Sequence, residues 1–190
     1  MLDWKRVAAA AIAVIGLGVP GLGANNNSHL VVVSASNGPS GFKGICKTYD
    51  WACSTTSGNL RDDKSMMQMA IMINAQVNAT IEPVTDSDQY GVAERWTLPE
   101  TGRGDCEDFA LLKKKLLIES GIAASKLLMV VAKAKGERHA MLILRLNDGD
   151  YVLDNLSPEI IAWANSAYTF LELQAPAEPS GWESIKPQAS

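Results

Sequence analysis

"LLMVVAKAKGERHAMLILRLNDGDYVLDNL", residues 127–156, decides the fold. Residues 127–134 and 139–146 are apolar runs of strand length bounded by turn residues, which is how buried strands read. Residues 147–150, Asn-Asp-Gly-Asp, form a tight turn, because Asp-Gly suits the positive backbone angles of a hairpin. Residues 151–156 are then the returning strand, antiparallel to its predecessor. Downstream, "EIIAW" (159–163) and "YTFLEL" (168–173) are two further strand candidates. Upstream the period changes to that of a helix. Over 65–81, Met66, Met69, Ala70, Ile73, Val77 and Ile81 recur at three and four residues and make one apolar face, so the methionines are read as core. A second helix begins near Asp105–Cys106, buries Phe109, Leu112 and Leu116 with Ala110 and Leu117 beside them, and ends at Ser120-Gly121. Its Lys113-Lys114-Lys115 run is expected on the solvated side. Helices first and antiparallel strands second predict an α+β fold, with N-terminal helices packed on one face of a C-terminal antiparallel sheet.

The connection between the helices, 82–100, is long and holds Pro83, Gly91 and Pro99; loops of this length often serve a site. At the other end of the chain, Lys5-Arg6 precedes thirteen residues without a polar side chain, Val7–Val19, and then the small residues of "PGLGA". This is the layout of a secretory signal, and residues 1–24 are expected to be one. The apolar run is short of the roughly 20 residues that span a bilayer, so no stable membrane insertion is expected once it is removed. Removal takes out Lys5, Arg6 and Asp3, leaving 15 of 17 basic and 20 of 21 acidic residues and a formal charge of −5. With no basic stripe, nucleic acid is excluded as a partner. Residues 25–45, rich in Asn, Ser and Gly, read as a flexible arm with one edge-strand candidate, "LVVVSA" (30–35). The domain proper is then 46–190.

Three cysteines remain. Cys46 and Cys53 lie seven apart in a loop-like segment and can close a short bridge if their Cα atoms approach closely enough, which sequence does not show. Cys106 would then be a free thiol. It stands in Asp105-Cys106-Glu107-Asp108, among three acids that should raise its pKa and dull it. Opposing them is its place at a helix N-terminus, where unpaired N–H groups and the macrodipole favour an anion. His29 falls in the arm and is no candidate. His139 opens a strand, with Met141 and Ile143 on its face; Asp154 closes the next strand, paired through the hairpin, so the two far ends come together. Cys106, His139 and Asp154 therefore make a candidate nucleophile, general base and orienting carboxylate. Asn155 beside Asp154 is the alternative third member. Trp96 is either core or cleft wall. The oxyanion stabiliser is expected to be backbone N–H near Cys106.

"GDCEDFALLKKKLLIESGI", "RHAMLIL", "YVLDN", the upstream "YGVAERWTLPE" and the Asn-bearing "MINAQVNATI" resemble the bacterial transglutaminase-like cysteine proteinases, the family of LapG-like periplasmic proteases. The resemblance spans about Cys46 to Leu156. It implies a papain-like, transglutaminase-type core, export to the periplasm and a Cys106–His139–Asp154 triad. It also implies a protein substrate such as a large surface adhesin, hence a role in cell adhesion and biofilm. Part of the family answers to an inner-membrane cyclic-di-GMP receptor, which makes such a receptor a candidate partner, although no stretch of this chain reads as a docking motif. Finally it implies calcium, with Asp105 and Glu107 as candidate ligands and loop residues such as Asp86 or Asp88 completing the oxygen shell that Ca²⁺ requires. A dication there would offset the acids around Cys106. Two other functions use the same residues: an amidase or transglutaminase acting on cell-envelope amides, and a non-catalytic calcium- or peptide-binding module.

Overall fold

The computed structural model describes residues 28–55 and 62–188. The expected export signal, residues 1–24, lies outside them. The elements are β1 (Val32–Ser36), α1 (Ile45–Thr48), α2 (Asp63–Thr80), β2 (Glu82–Pro83), α3 (Asp86–Tyr90), β3 (Arg103–Gly104), α4 (Cys106–Glu119), β4 (Leu127–Ala134), β5 (Glu137–Arg145), β6 (Asp150–Leu153), β7 (Ile161–Ala162), β8 (Thr169–Gln174) and β9 (Trp182–Ile185). Seven strands form one sheet in the order β1-β9-β8-β4-β5-β6-β7, every pairing antiparallel. Helices lie against it, so the α+β expectation holds.

Alternation along β4 and β5 splits the apolar residues between two clusters. Leu127, Met129, Val131, Ala140, Leu142 and Leu144 join Phe109, Ala110 and Leu117 of α4 and Met66, Ala70, Ile73 and Val77 of α2 in the main core. Leu128, Val130, Met141 and Ile143 face the other way, with Phe170, Leu173 and Ile185. α2 starts where Asp62 accepts a hydrogen bond from Ser65 N at 2.9 Å, an N-cap that the sequence does supply.

Three expectations need correction. Lys113 and Lys114 are not solvated: each is about 1% exposed. α4 is covered by α2 on one side and the sheet on another, and a lysine stem can lie along apolar surface. Lys114 Nζ donates to Gln174 Oε1 at 2.7 Å, and Lys113 Nζ lies 6.0 Å from the Phe109 ring centroid. Burial drives both ammonium groups down to a pKa of about 7. Second, the described part of the arm is packed. β1 pairs with β9 at the sheet edge, Leu30 and Phe42 are buried, and Asp150 holds residues 29–30 through His29 Nδ1 (3.0 Å) and Leu30 N (2.9 Å). Third, "EIIAW" yields only the two-residue β7, and β9, which was not foreseen, adds a strand after a short turn.

Candidate active site

Cys106 is the first residue of α4. The cleft at that helix end is lined by Cys106, Glu107, Trp96, His139, Ala140 and Arg138 among others. The expected nucleophile and base thus share one cavity. His139 Nε2 and Asp154 Oδ1 are 2.7 Å apart, and both side chains are buried. The bond uses Nε2, so Nδ1 is the ring nitrogen left for a thiol. Asp154 Oδ1 also accepts from Leu156 N at 3.1 Å, and Oδ2 accepts from the Tyr168 hydroxyl. Burial alone would raise the Asp154 carboxyl; the hydrogen bonds from His139 and Tyr168 outweigh it and hold the group below the usual carboxylate range. Asn155, the alternative third member, has its Oδ1 buried without a partner; the imidazole is met by Asp154.

The hairpin does not set His139 directly opposite Asp154. β5 and β6 pair Leu142 with Leu153 and Arg145 with Asp150. Continued one step, that register sets Asp154 across from Met141. His139 is therefore its diagonal neighbour on the same face, within reach of a long side chain. Asparagines from α2 secure the chain beyond β6: Asn78 Nδ2 donates to Asp154 O at 2.8 Å and Asn74 Nδ2 to Pro158 O at 3.2 Å. Neither asparagine was singled out as part of the site, although both stand in the helix that carries the resemblance. Tyr168 was missed for a different reason: a tyrosine beginning a strand candidate carries no catalytic signature.

Around Cys106 the electrostatics run against a thiolate. Sγ donates to Glu107 Oε2 at 3.2 Å and accepts from Ala140 N at 3.4 Å. Burial, then the Glu107 charge, pushes the thiol far above its ordinary value, and the Ala140 N–H only partly opposes them. The acids disturb one another as well. Glu107 is pushed up to about 9 by burial and by Asp105; Asp108 to about 7 by burial, with Asp105 and Asp86 adding to it. Asp86 is raised by burial and by Asp105.

These acids fit a cation. Oxygens of Asp86, Asp105 and Asp108 lie within 4.8 Å of one another, and a second group joins Asp105, Cys106 and Glu107. Asp105 occupies the N-cap position of α4, yet its side chain makes no capping bond; Oδ2 accepts from Asp86 N at 3.3 Å and Oδ1 is buried without a partner. Asp108 Oδ2 is likewise unpartnered, while Oδ1 accepts from Thr97 N at 2.9 Å. A Cβ on Gly104 would stand 2.6 Å from Asp108 Oδ2, so the backbone approaches this carboxylate as only glycine allows. An all-oxygen set with bare buried oxygens suits Ca²⁺. Of the two ligands expected, Asp105 is in both groups and Glu107 is in the second, where it also accepts from the thiol. Of the two loop residues, Asp86 is in the first. Asp88 is not: it belongs to the cap of α3, accepting from Thr85 Oγ1 at 2.9 Å.

The 82–100 connection does serve the site, supplying Asp86, Thr97 and Trp96. Trp96 is both core and wall. It is 5% exposed and packs edge-on against Phe42 and Trp182, while its Nε1 donates to Glu94 Oε1 at 2.8 Å on the cleft rim. Cys46 and Cys53 are bridged, with Cα atoms 5.4 Å apart, which leaves Cys106 as the free thiol. Tyr49, inside that bridged loop, accepts from Leu98 N at 3.2 Å and so props the segment carrying Trp96 and Thr97.

Solved structures share this architecture. LapG of Legionella pneumophila superimposes with a TM-score of 0.53 at 23% identity, over 67% of this chain and 73% of that one. Its calcium-bound form gives 0.55 at 16% identity, over 78% and 88%, and the EGTA-treated form 0.53 at 20%, over 67% and 74%. No curated protein matches the chain. Among the described residues no helix is long and apolar enough to cross a membrane. The profile of the bacterial transglutaminase-like cysteine proteinases matches residues 32–190. That is most of the chain, and the protein belongs to this family of cysteine peptidases.

Proposed function

We propose that the protein is an exported, calcium-dependent endopeptidase that cuts a surface protein through Cys106, His139 and Asp154. The observation that carries this reading is the buried His139–Asp154 pair opening on the same cleft as the one free thiol. In the proposed reaction His139 Nδ1 takes the Cys106 proton as Sγ attacks the scissile carbonyl carbon, and the tetrahedral oxyanion is met by backbone N–H groups at the start of α4. The imidazolium then protonates the leaving amine, and water repeats the cycle on the thioester. Asp154 keeps the proton on Nε2 and stabilises the imidazolium. The thiol must first leave Glu107, since such catalytic contacts tighten when substrate arrives.

Asp86, Asp105 and Asp108 would hold the calcium, with Glu107 at its edge. When bound, the cation supplies positive charge that offsets the carboxylates surrounding the thiol. The orphaned oxygens of Asp105 and Asp108 support this assignment, and the calcium-bound LapG structure accords with it. Export through residues 1–24, a large adhesin as substrate and a cyclic-di-GMP receptor as partner follow from the family resemblance.

The test is digestion of the source bacterium's surface-protein fraction with wild type, with Cys106→Ser, and with wild type in EGTA, followed by mass spectrometry of new termini. New fragments are expected with calcium-loaded wild type alone. Fragments produced by Cys106→Ser would refute a cysteine nucleophile, and products heavier than the substrates would make the enzyme a transferase.

A further inference from the structure

A carboxylate can serve an imidazole only if its orientation is held, and rotation about Cβ–Cγ is soft. On Oδ1, Asp154 accepts from His139 Nε2 at 2.7 Å and Leu156 N at 3.1 Å. Those two bonds fix one oxygen. Oδ2 remains, in a residue 2% exposed, where an unpaired anionic oxygen is costly. It accepts a hydrogen bond from the Tyr168 hydroxyl.

The sheet explains how a residue so distant in sequence arrives there. Ala132 of β4 pairs with His139 on one side and with Phe170 of β8 on the other. Tyr168, two residues before Phe170, therefore stands on the far side of His139 from β6, and its ring centroid is 6.1 Å from the imidazole. The phenol reaches past the histidine to the carboxylate. Its ring is braced edge-on by Phe170 at 6.3 Å, and Phe170 by Trp163 at 6.0 Å. Burial, then the hydrogen bond to Asp154 and its charge, keeps the phenol protonated, so it acts as a donor.

We infer that Tyr168 is a positioning residue of this site: its hydroxyl pins the second oxygen of Asp154 so that the first stays on His139. The inference rests on the triad reading above. Tyr168 acts through Asp154 and touches no reacting atom.

Tyr168→Phe removes one oxygen and leaves the ring on Phe170. Two readouts test it in the calcium-loaded full-length chain. One is the rate of Cys106 alkylation by iodoacetamide at pH 7. The other is the Nε2-bound proton resonance of His139 in ¹⁵N-histidine-labelled protein, with His29 as internal reference. The expected result is alkylation slowed about tenfold or more, because a loosened dyad activates the thiol less, together with an upfield shift of the His139 resonance and none of His29. A structural tyrosine would leave that resonance in place. Both readouts unchanged in Tyr168→Phe, while His139→Ala slows alkylation, would overturn this inference and spare the triad. Alkylation indifferent to His139→Ala would sink the triad itself, and the inference with it. Tyr168→Leu, which removes the ring as well, should be no slower than Tyr168→Phe. If Tyr168→Leu alone is impaired, ring packing and not the hydroxyl is responsible, and the inference fails.

Discussion

His139 Nε2 and Asp154 Oδ1 meet at 2.7 Å across a diagonal of the β5–β6 pair, both side chains buried. The contact joins the end of one strand to the beginning of another, and a turn four residues long fixes its register. Shifting that turn by one residue would send Asp154 to the opposite face.

Replacing Asp154 by Asn keeps the shape and removes the charge that favours an Nε2 proton. Peptidase activity should fall on the order of 10²–10⁴-fold, measured as kcat/KM on whichever surface protein is cut. The same carboxyl has its pKa below the usual range, so it binds its proton less readily folded than unfolded. Its contribution to stability is therefore present above the unfolded value of about 3.9 and is lost as pH falls through the lower folded one. Thermal melts from pH 5 down to 2 should show a flatter acid decline in Asp154→Asn than in wild type.

The two buried lysines give stability the same sign of pH dependence, but at the alkaline end. Both have folded pKa values near 7, against about 10.4 in an unfolded chain. Between those values the unfolded chain holds more protons, so stability rises with pH. Relative to Lys113→Met/Lys114→Met, wild type should gain Tm from pH 7 toward 10. The double variant should be the more stable protein at pH 7, since Gln174 Oε1 keeps its bond from Met129 N at 3.2 Å.

Calcium should stabilise the fold by linkage, about 2.7 kcal/mol at one hundred times Kd. Differential scanning fluorimetry with calcium and with EGTA reads this directly. Asp108→Asn should remove most of the calcium-dependent shift. Asp88→Asn, outside the acidic cluster, should retain it.

Reducing the Cys46–Cys53 bridge opens a loop with a sequence separation of seven and should cost about 2–3 kcal/mol. Because Tyr49 in that loop holds Leu98, the loss should reach the Trp96 wall as well. Cys46→Ser/Cys53→Ser is expected to melt lower than wild type and to show weaker protection of the 96–98 amides from hydrogen exchange.

What was legible in the sequence was periodic or local. The β4–β5–β6 stretch announced itself by apolar runs and an Asp-Gly turn, and α2 by its methionine spacing. Cys106 and His139 were found because their residue types are scarce, three cysteines and two histidines in the whole chain, and Asp154 because the hairpin leads back to His139. Lys113 and Lys114 were misread because charge predicts solvent only when a helix has a free side, and α4 has little. Tyr168, Asn74 and Asn78 were silent because their roles depend on which strand lies beside which. Asp108 is an acid in the first turn of α4, and only the fold brings Asp86 up to it.

The central claim is that His139 activates Cys106. The measurement that tests it most directly is the rate of Cys106 alkylation by iodoacetamide at pH 7 with calcium, in wild type and His139→Ala. With the other two cysteines bridged, the reaction reports one thiol. Alkylation should be at least about tenfold faster in wild type, as expected for a thiol whose pKa a neighbouring imidazolium lowers from about 8.5. Equal, slow rates in both proteins would contradict it, and would mean that the carboxylates around Cys106 hold the thiol inert.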